Sequence, residues 1–134
     1  MGMDEIVGSR EVVADSLPEF YIDAFDLIDA NPNQVLLVAE ENEKVIGTLQ
    51  LTFIQYVFSR AFRRAVIEAM FVHPSHRGKG IGSALIQEAG RLAVGAGCQR
   101  LELTSNKART RAHKFYEKCG FKATHEGFKL ILAK

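Results

Sequence analysis

Glycine occupies every second position in the middle of residues 77–83 (RGKGIGS), which lie between an apolar run and a helical pattern. A backbone that lacks Cβ atoms at alternate positions can turn tightly, and its N–H groups can close around a bulky anion. Because a helix is predicted to begin directly after this glycine loop, the free N–H groups and the positive dipole end of the helix face the same space. The segment therefore predicts a phosphate or pyrophosphate site at a strand-to-helix junction. A generic glycine-rich turn is the alternative interpretation.

Composition sets the class of protein. The 134 residues predict one domain, residues 1–134, and the net charge of +1 gives no reason to expect a nucleic acid or an anionic membrane as partner. Cys98 and Cys119 are too few for a disulfide framework, which favours a reduced, cytoplasmic protein, and both are expected to be buried apolar residues. No apolar run approaches the roughly 20 residues that a membrane span needs, and the N-terminus does not resemble a signal peptide.

The hydrophobic pattern predicts helices and strands in the order α-β-β-β-α-β-α-β-β. Helical spacing of apolar residues marks three segments, the first with Ser16 as its N-cap: 16–30, 84–96 and 108–119. Strand patterns mark six segments, the last two forming a closing hairpin: 35–39, 45–54, 65–72, 99–105, 121–124 and 128–132. Residues 55–64 are expected to be a loop or a ragged strand end.

Two better-known phosphate motifs do not fit the glycine loop. It lacks the glycine spacing of a P-loop and the G-x-G-x-x-G run of a dinucleotide fold. It does contain R-x-x-G-x-G, formed by Arg77, Gly80 and Gly82 after a strand that ends in Val72-His73-Pro74. This arrangement resembles motif A of the GNAT superfamily of N-acetyltransferases, whose loop holds the pyrophosphate of coenzyme A. Residues 115–121 (FYEKCGF) resemble a second segment of that family, in the family's order.

A narrower similarity is to the subgroup that includes aminoalkylphosphonate acetyltransferases. It rests on residues 103–106 (LTSN), 112–116 (AHKFY) and 125–129 (HEGFK). The resemblance implies an α/β fold, a single GNAT domain with flanking helices and a mixed central sheet whose parallel strands 4 and 5 splay apart around the cofactor. Few residues precede the first helix, so the family's first strand is expected to be missing or very short. The sheet edge exposed in this way could be covered by a second subunit, giving a homodimer.

The implied reaction is transfer of an acetyl group from acetyl-CoA to a primary amine, by direct attack in a ternary complex. The expected acceptor is a small molecule, and the alternatives are a protein N-terminus or lysine, or a non-catalytic acyl-CoA sensor. A base must take the amine proton. Glu68 is the first candidate because it is an acid in an apolar strand, where burial would make it a better base; a solvent-facing glutamate is the alternative. Glu102, on the next strand, is the second candidate.

Other steps of the reaction need proton and hydrogen-bond donors. In the family a strand bulge directs one backbone N–H, here that of Phe71 or Val72, at the thioester oxygen. Tyr116 is the expected acid for the leaving thiolate, with a core aromatic as the alternative. An asparagine that many members carry seven residues before the tyrosine is replaced by Arg109, so either Arg109 or Asn106 is expected to contact the cofactor.

The residues expected to bind coenzyme A are thus backbone groups of the strand, the glycine loop and these two polar residues. They are Met70, Phe71, Val72, Arg77, Gly78, Lys79, Gly80, Ile81, Gly82, Ser83, Asn106 and Arg109. The four histidines show no metal-ligand spacing, so no metal is expected. Three arginines, Arg60, Arg63 and Arg64, predict either a solvated face or a site for an acidic group of the acceptor.

Overall fold

The computed structural model of the chain describes residues 5–7 and 19–133, which divide into two compact units with the boundary between Leu103 and Thr104. The first unit contains the α-helices and strands β1 (Glu5–Val7), α1 (Glu19–Ala30), β2 (Gln34–Glu41), β3 (Lys44–Gln55), α2 (Phe58–Ala61), β4 (Arg63–Val72), α3 (Ile81–Gly95) and β5 (Arg100–Leu103), and a 3-10 helix (Pro74–His76) follows β4. The second unit contains α4 (Thr110–Lys118). The predicted N-cap, Ser16, lies outside the described residues.

The strands form one mixed sheet in the order β1-β2-β3-β4-β5. Neighbours from β1 to β4 are antiparallel, whereas β4 and β5 are parallel, as the family resemblance predicts. The β4–β5 ladder ends at the pair Ile67–Leu103, although β4 itself continues to Val72. The end of β4 therefore has no β5 partner among the described residues, at the place where strands 4 and 5 are expected to part.

The first strand is very short, as expected from the sequence. β1 has three residues and pairs antiparallel with β2, Ile6 opposite Ala39. The hairpin that follows is also confirmed. Asn42 and Glu43 join β2 to β3 with φ values of 52° and 66°, the left-handed pair that a two-residue hairpin needs to match the twist of its strands.

One face of the sheet packs against α3. Leu49, Leu51 and Leu85 are completely buried there, and each contributes roughly 1.5–3 kcal/mol relative to an exposed side chain. Gly47 allows the close approach, because a Cβ at that position would lie 3.2 Å from side-chain atoms of both Ile81 and Leu85. The first turn of α3, and with it the end of the glycine loop, is therefore fixed against the core.

Residues 55–64 do contain strand ends, as expected, because β3 continues to Gln55 and β4 begins at Arg63, and the four-residue α2 between them has left-handed φ values at Ser59, Arg60 and Ala61. One expectation about the chain is wrong. The predicted closing hairpin at 121–124 and 128–132 is absent from the described residues, which carry no strand after Leu103. An isolated two-stranded hairpin is marginal in water, and residues 121–133 form neither strand nor helix.

Candidate active site

The glycine loop contains two left-handed residues. Gly78 has a φ of 78° and Gly80 a φ of 83°, values that cost other L-residues roughly 1–2 kcal/mol. A Cβ added at either glycine would meet no atom within 4 Å, so the space beside the loop is open. Backbone conformation therefore favours glycine at both positions, and the loop leaves room for a ligand.

The loop delivers the chain directly into the first turn of α3. Gly80 is the N-cap, and the first helical hydrogen bond runs from the Ala84 N–H to the Gly80 carbonyl, at 3.0 Å. In an α-helix the N–H groups before that bond have no acceptor within the helix; here they belong to Ile81, Gly82 and Ser83. Three donors at the positive end of a 15-residue helix form a suitable site for an anion.

The two cations of the loop behave differently. Arg77 folds back onto the end of β4, where its Nε donates to the Val72 carbonyl at 3.0 Å and its guanidinium lies 5.7 Å from the Phe71 ring centroid. Lys79 is exposed between the two left-handed glycines. Arg77 therefore ties the loop to β4, while Lys79 is placed to meet a charge that approaches from solvent.

A bulge interrupts β4 just before the loop. The register of β4 against β3 shifts between Glu68 and Phe71, so Ala69 and Met70 together face one β3 residue. Ala69 has a φ of 52°, which is uncommon outside glycine. Bulges re-aim the groups that follow them. The strand therefore carries the irregularity that the family resemblance implies, on the part of β4 that has no β5 partner.

Glu68 is exposed, so the expectation that it is buried is wrong. Strand alternation places Ile67, which is 3% exposed, against the core and Glu68 on the opposite face. The β4–β5 ladder also ends at Ile67, so no β5 residue is paired with Glu68. The carboxylate is thus accessible beside the bulge.

Glu102 is engaged in ion pairs. Its Oε1 lies 2.5 Å from Arg64 Nη1 and its Oε2 lies 2.9 Å from Arg100 Nε. The Arg100 guanidinium also lies 4.3 Å from the centroid of the Phe62 ring. Both carboxylate oxygens of Glu102 are thus engaged by guanidinium groups, whereas Glu68 is exposed, so Glu68 is the better placed of the two candidate bases.

The three clustered arginines do not form one surface. Arg63 has a structural role, because its Nε donates to the Ala96 carbonyl at 2.9 Å and its Nη2 to Asn33 Oδ1 at 3.1 Å. Arg64 is paired with Glu102. Arg60 alone of the three is exposed in the described residues, on α2, where it has a left-handed φ of 62°.

Tyr116 lies on α4 in the second unit. Its ring packs between those of Phe115 and Phe121, at centroid distances of 5.4 and 6.1 Å. Burial raises the pKa of the Tyr116 phenol, Arg109 opposes that shift and Cys119 adds to it. The hydroxyl is therefore protonated at neutral pH and available as a hydrogen-bond donor.

Asn106 organises the turn that precedes α4. Its Oδ1 accepts from the Ala108 N–H at 2.9 Å, and its carbonyl accepts from the Arg109 N–H at 3.0 Å and contacts His113 Nε2 at 2.9 Å. Arg109 is the exposed N-cap residue of α4. Asn106 is thus already committed to local structure through its side-chain oxygen, whereas Arg109 presents its charge to solvent.

The cysteines differ from each other. Cys98 is half-buried and burial raises its pKa, with Arg63 opposing the shift, while Cys119 is exposed, so the expectation that Cys119 is buried is wrong. Position 119 lies just past the last turn of the short α4. Within residues 5–7 and 19–133, no cluster of three or more histidine, cysteine or acidic side chains could hold a metal ion.

Sequence reasoning missed several residues that shape this site. The roles of Gly47 and the bulged Ala69 cannot be predicted from the neighbouring sequence. The role of Gly47 depends on how α3 packs on the sheet, and that of Ala69 on how β4 pairs with β3. Arg100 could have been noticed as a partner for Glu102, since both lie on one predicted strand.

Among the residues that the structure describes, no helix is long and apolar enough to cross a membrane.

Known proteins resemble the chain over most of its length. It is 35% identical over 105 residues to the aminoalkylphosphonate N-acetyltransferase of Salmonella typhimurium (78% of this chain, 66% of that protein). It is 36% identical over 90 residues to the glucosamine 6-phosphate N-acetyltransferase of Trypanosoma brucei brucei (66% of this chain, 58% of that protein). The chain therefore spans less than two thirds of the length of these curated relatives.

Solved structures give the same fold. A crystal structure described as a transcriptional regulator from Bacillus halodurans C-125 is 41% identical, with a TM-score of 0.84, and the match covers 89% of this chain and 79% of that one. Residues 4–121 match the model of the Acetyltransferase (GNAT) family. With the mixed sheet, the bulged fourth strand and the glycine loop in the expected order, the chain belongs to the GNAT acetyltransferase family.

Proposed function

We propose that the chain transfers an acetyl group from acetyl-CoA to the primary amine of a small molecule, by direct attack in a ternary complex. The observation that carries the proposal is the pair of left-handed glycines leading into the first turn of α3, directly after the bulged end of β4. This arrangement offers backbone donors for a diphosphate next to the end of β4, whose β5-side edge has no partner among the described residues and could pair with an extended amide chain. Family membership supports the assignment of that anion to coenzyme A.

The residues that would hold the cofactor fall into three groups. Backbone groups of Met70, Phe71 and Val72 would pair with the pantetheine amides. The N–H groups of the loop and of the first α3 turn would bind the diphosphate, with positive charge from its two cations: Arg77, Gly78, Lys79, Gly80, Ile81, Gly82 and Ser83. In the second unit, Arg109 would supply a further charge, and Asn106 would contribute the groups that its local turn leaves available.

Glu68 would act as base for the acceptor amine. A free alkyl amine has a pKa of about 10, so almost all of it is protonated at neutral pH and cannot attack a thioester. An exposed carboxylate can remove that proton through a water molecule and can also attract the cationic amine before it is deprotonated. The exposure of Glu68 is thus compatible with a proton relay, in which a water molecule passes the proton from the amine to the carboxylate.

Two donors would serve the rest of the reaction. The N–H of Phe71 or Val72, re-aimed by the bulge, would stabilise the oxyanion of the tetrahedral intermediate. Tyr116 would donate to the departing thiolate. A thiol has a pKa near 8.5 and a phenol one near 10, so complete transfer from a phenol with a raised pKa is uphill. A strong hydrogen bond to the thiolate is therefore the larger part of its contribution.

The acceptor we propose is an amine that also carries a phosphorus oxyanion. The two curated relatives are named for acceptors of this kind, an aminoalkylphosphonate and an amino sugar phosphate. Arg60 is an exposed guanidinium held on α2, where it could form a bidentate contact with such a group. Phosphonate and phosphate monoester share the chemistry that an arginine recognises.

A panel of matched amines tests this proposal. Release of the CoA thiol is measured with 2-aminoethylphosphonate and glucosamine 6-phosphate, and with ethanolamine and glucosamine as their counterparts without phosphorus. We expect turnover, with kcat/KM at least about tenfold higher for an anionic amine than for its counterpart, because a charge-assisted hydrogen bond is worth about 1.5–3 kcal/mol. Equal values would contradict the acceptor class. Turnover only with peptide amines would favour a protein acetyltransferase.

A non-catalytic acyl-CoA sensor is the second candidate. It is favoured by one observation, the description of the 41% identical structure as a transcriptional regulator. Tight binding of acetyl-CoA without turnover on any amine would support the sensor and contradict the enzyme. Glu68→Gln separates the two further: in an enzyme it shifts the acidic limb of the pH–rate profile, whereas Glu43→Gln, in the exposed β2–β3 turn, leaves the limb in place.

A further inference from the structure

A chain of polar contacts braces the turn between β4 and the glycine loop. Ser75 Oγ lies 2.8 Å from Nδ1 of His73 and 2.8 Å from Nδ1 of His76. His76 Nε2 in turn lies 2.9 Å from Glu41 Oε1, at the end of β2. We name Glu41, His76, Ser75 and His73 the histidine chain. It connects the turn that precedes the loop with a strand 35 residues earlier in the sequence.

The contacts of the histidine chain need more protons than Ser75 alone can donate. We count these protons starting from His73. Its Nδ1 accepts the backbone N–H of Ser75 at 3.2 Å, so that nitrogen carries no proton of its own. The Ser75 hydroxyl has one proton to give. It can therefore satisfy only one of the two Nδ1 atoms that lie 2.8 Å away, and the other contact needs a proton from the imidazole side.

Neither neutral tautomer of His76 supplies all the protons. With the proton on Nε2, His76 donates to Glu41, but one of the two short Ser75 contacts then has no proton between its atoms. With the proton on Nδ1, Ser75 is satisfied, but a nitrogen lone pair faces the Glu41 carboxylate at 2.9 Å. With Glu41 present as a carboxylate, only the doubly protonated ring places a proton in each of the three contacts: with Glu41, with Ser75, and from Ser75 to His73.

We propose that His76 is a positioning residue, held as an imidazolium, that clamps the turn to β2 and so fixes the glycine loop for coenzyme A. The side chains of His76 and Glu41 are each 19% exposed, so water competes only in part for their ion pair. The titratable groups seen against the ring are Glu41 from β2 and His73 from its own turn. The neighbouring Arg77 points instead to the Val72 carbonyl. This proposal rests on the proposed function only where it names coenzyme A.

The clamp predicts a pH dependence of cofactor binding. The imidazolium is the form favoured at lower pH, so the clamp is complete there and loses a hydrogen bond and its charge as the pH rises and His76 deprotonates. One hydrogen bond is worth about 0.5–1.5 kcal/mol, or a roughly 2- to 10-fold change in affinity. The KM for acetyl-CoA is therefore expected to rise about 2- to 10-fold with pH, while kcat at saturating acetyl-CoA stays unchanged.

Nitrogen-15 NMR of the uniformly labelled protein tests the protonation state directly. At pH 7 both ring nitrogens of His76 are expected at the chemical shift of protonated nitrogen, with the signals assigned by their loss in His76→Asn. Ser75→Ala should let His76 deprotonate at a lower pH. A neutral His76 ring at pH 7 would overturn the proposal. Because this readout needs no substrate, it is independent of whether the chain is an acetyltransferase.

A kinetic arm connects the clamp to the loop. Glu41→Gln is expected to raise the KM for acetyl-CoA about 2- to 10-fold, leave kcat unchanged and flatten the pH dependence of KM. Glu43→Gln, two residues away in the exposed turn, is the matched control and should behave as wild type. Equal effects of the two variants would contradict the clamp. Absence of acetyl-CoA binding in the wild type would contradict the proposed function, while the NMR result would still decide the state of His76.

Discussion

The left-handed glycines of the loop allow a prediction in which two similar substitutions have opposite effects. Gly80→Ala places an L-residue at a φ of 83°, which costs about 1–2 kcal/mol. The lower entropy of the unfolded chain offsets about 0.4–1 kcal/mol of that cost. Since the new Cβ would meet no atom within 4 Å, no packing effect is added. The net expectation is a loss of about 1 kcal/mol in the free energy of unfolding, with the same result for Gly78→Ala.

The control is a glycine in the same helix that the loop begins. Gly90 lies within α3, its φ is not left-handed, and its added Cβ also meets no atom within 4 Å. Gly90→Ala should therefore stabilise the protein by about 0.5–1 kcal/mol through helix propensity. Urea denaturation of both variants should give midpoints on opposite sides of the wild type. Destabilisation by both, or by neither, would refute the conformational reasoning.

The same variants test whether the loop binds the diphosphate. The alanine of the Gly80→Ala variant favours a φ below zero, so the free loop is expected to relax away from the left-handed conformation. Binding of acetyl-CoA must then restore that conformation. Each 1 kcal/mol that this restoration costs lowers the affinity for acetyl-CoA about 5-fold or more. S-acetylpantetheine lacks the diphosphate, so its kcat/KM should be the same in Gly80→Ala and wild type, and Gly90→Ala should change neither donor. An equal loss with both donors would show that the loop does not bind the diphosphate.

Three further predictions follow from individual contacts. Gly47→Ala should lower the free energy of unfolding by about 1–3 kcal/mol, because its Cβ overpacks α3; an unchanged urea midpoint would contradict this. Arg109→Gln should raise the pKa of Tyr116 further, because Arg109 is the group that lowers it. The pKa is measured by titrating the phenol absorbance, and the same titration of Tyr116→Phe identifies the Tyr116 signal. A lower Tyr116 pKa in Arg109→Gln would refute the prediction. Cys119 should react with a thiol reagent about tenfold faster than Cys98, as measured by peptide mass spectrometry; equal rates would contradict the exposure and the raised Cys98 pKa.

Most strands of the sheet and α3 are predictable from the sequence because their hydrophobic residues follow a clear strand or helix pattern. Val45–Ile54 and Ala65–Val72 are apolar and β-branched, and they form the paired β3 and β4. The glycine spacing also indicates the strand-to-helix junction, where Gly78 and Gly80 adopt left-handed φ values. What the period cannot show is a register shift, because the bulge at Ala69 exists only relative to β3.

Exposure of Glu68 illustrates a second limit. Its neighbours in the sequence are apolar on both sides, so burial is the natural expectation, but the β4–β5 ladder ends one residue earlier. The histidine chain is a third case, because contact between Glu41 and His76 depends on tertiary structure. The closing hairpin is a further case in which the local pattern is misleading. Phe128, Leu130 and Leu132 alternate with other residues as in a strand, yet they are 84–94% exposed.

The most direct measurement of the central claim follows the acetyl group itself. The protein is incubated with acetyl-CoA labelled with carbon-13 in the acetyl group and with 2-aminoethylphosphonate or glucosamine 6-phosphate, and products are identified by mass spectrometry. Direct transfer predicts a labelled N-acetyl amide formed in one-to-one ratio with free CoA, and no labelled protein intermediate. Tight binding of acetyl-CoA with no amide from these or any other amine would contradict it.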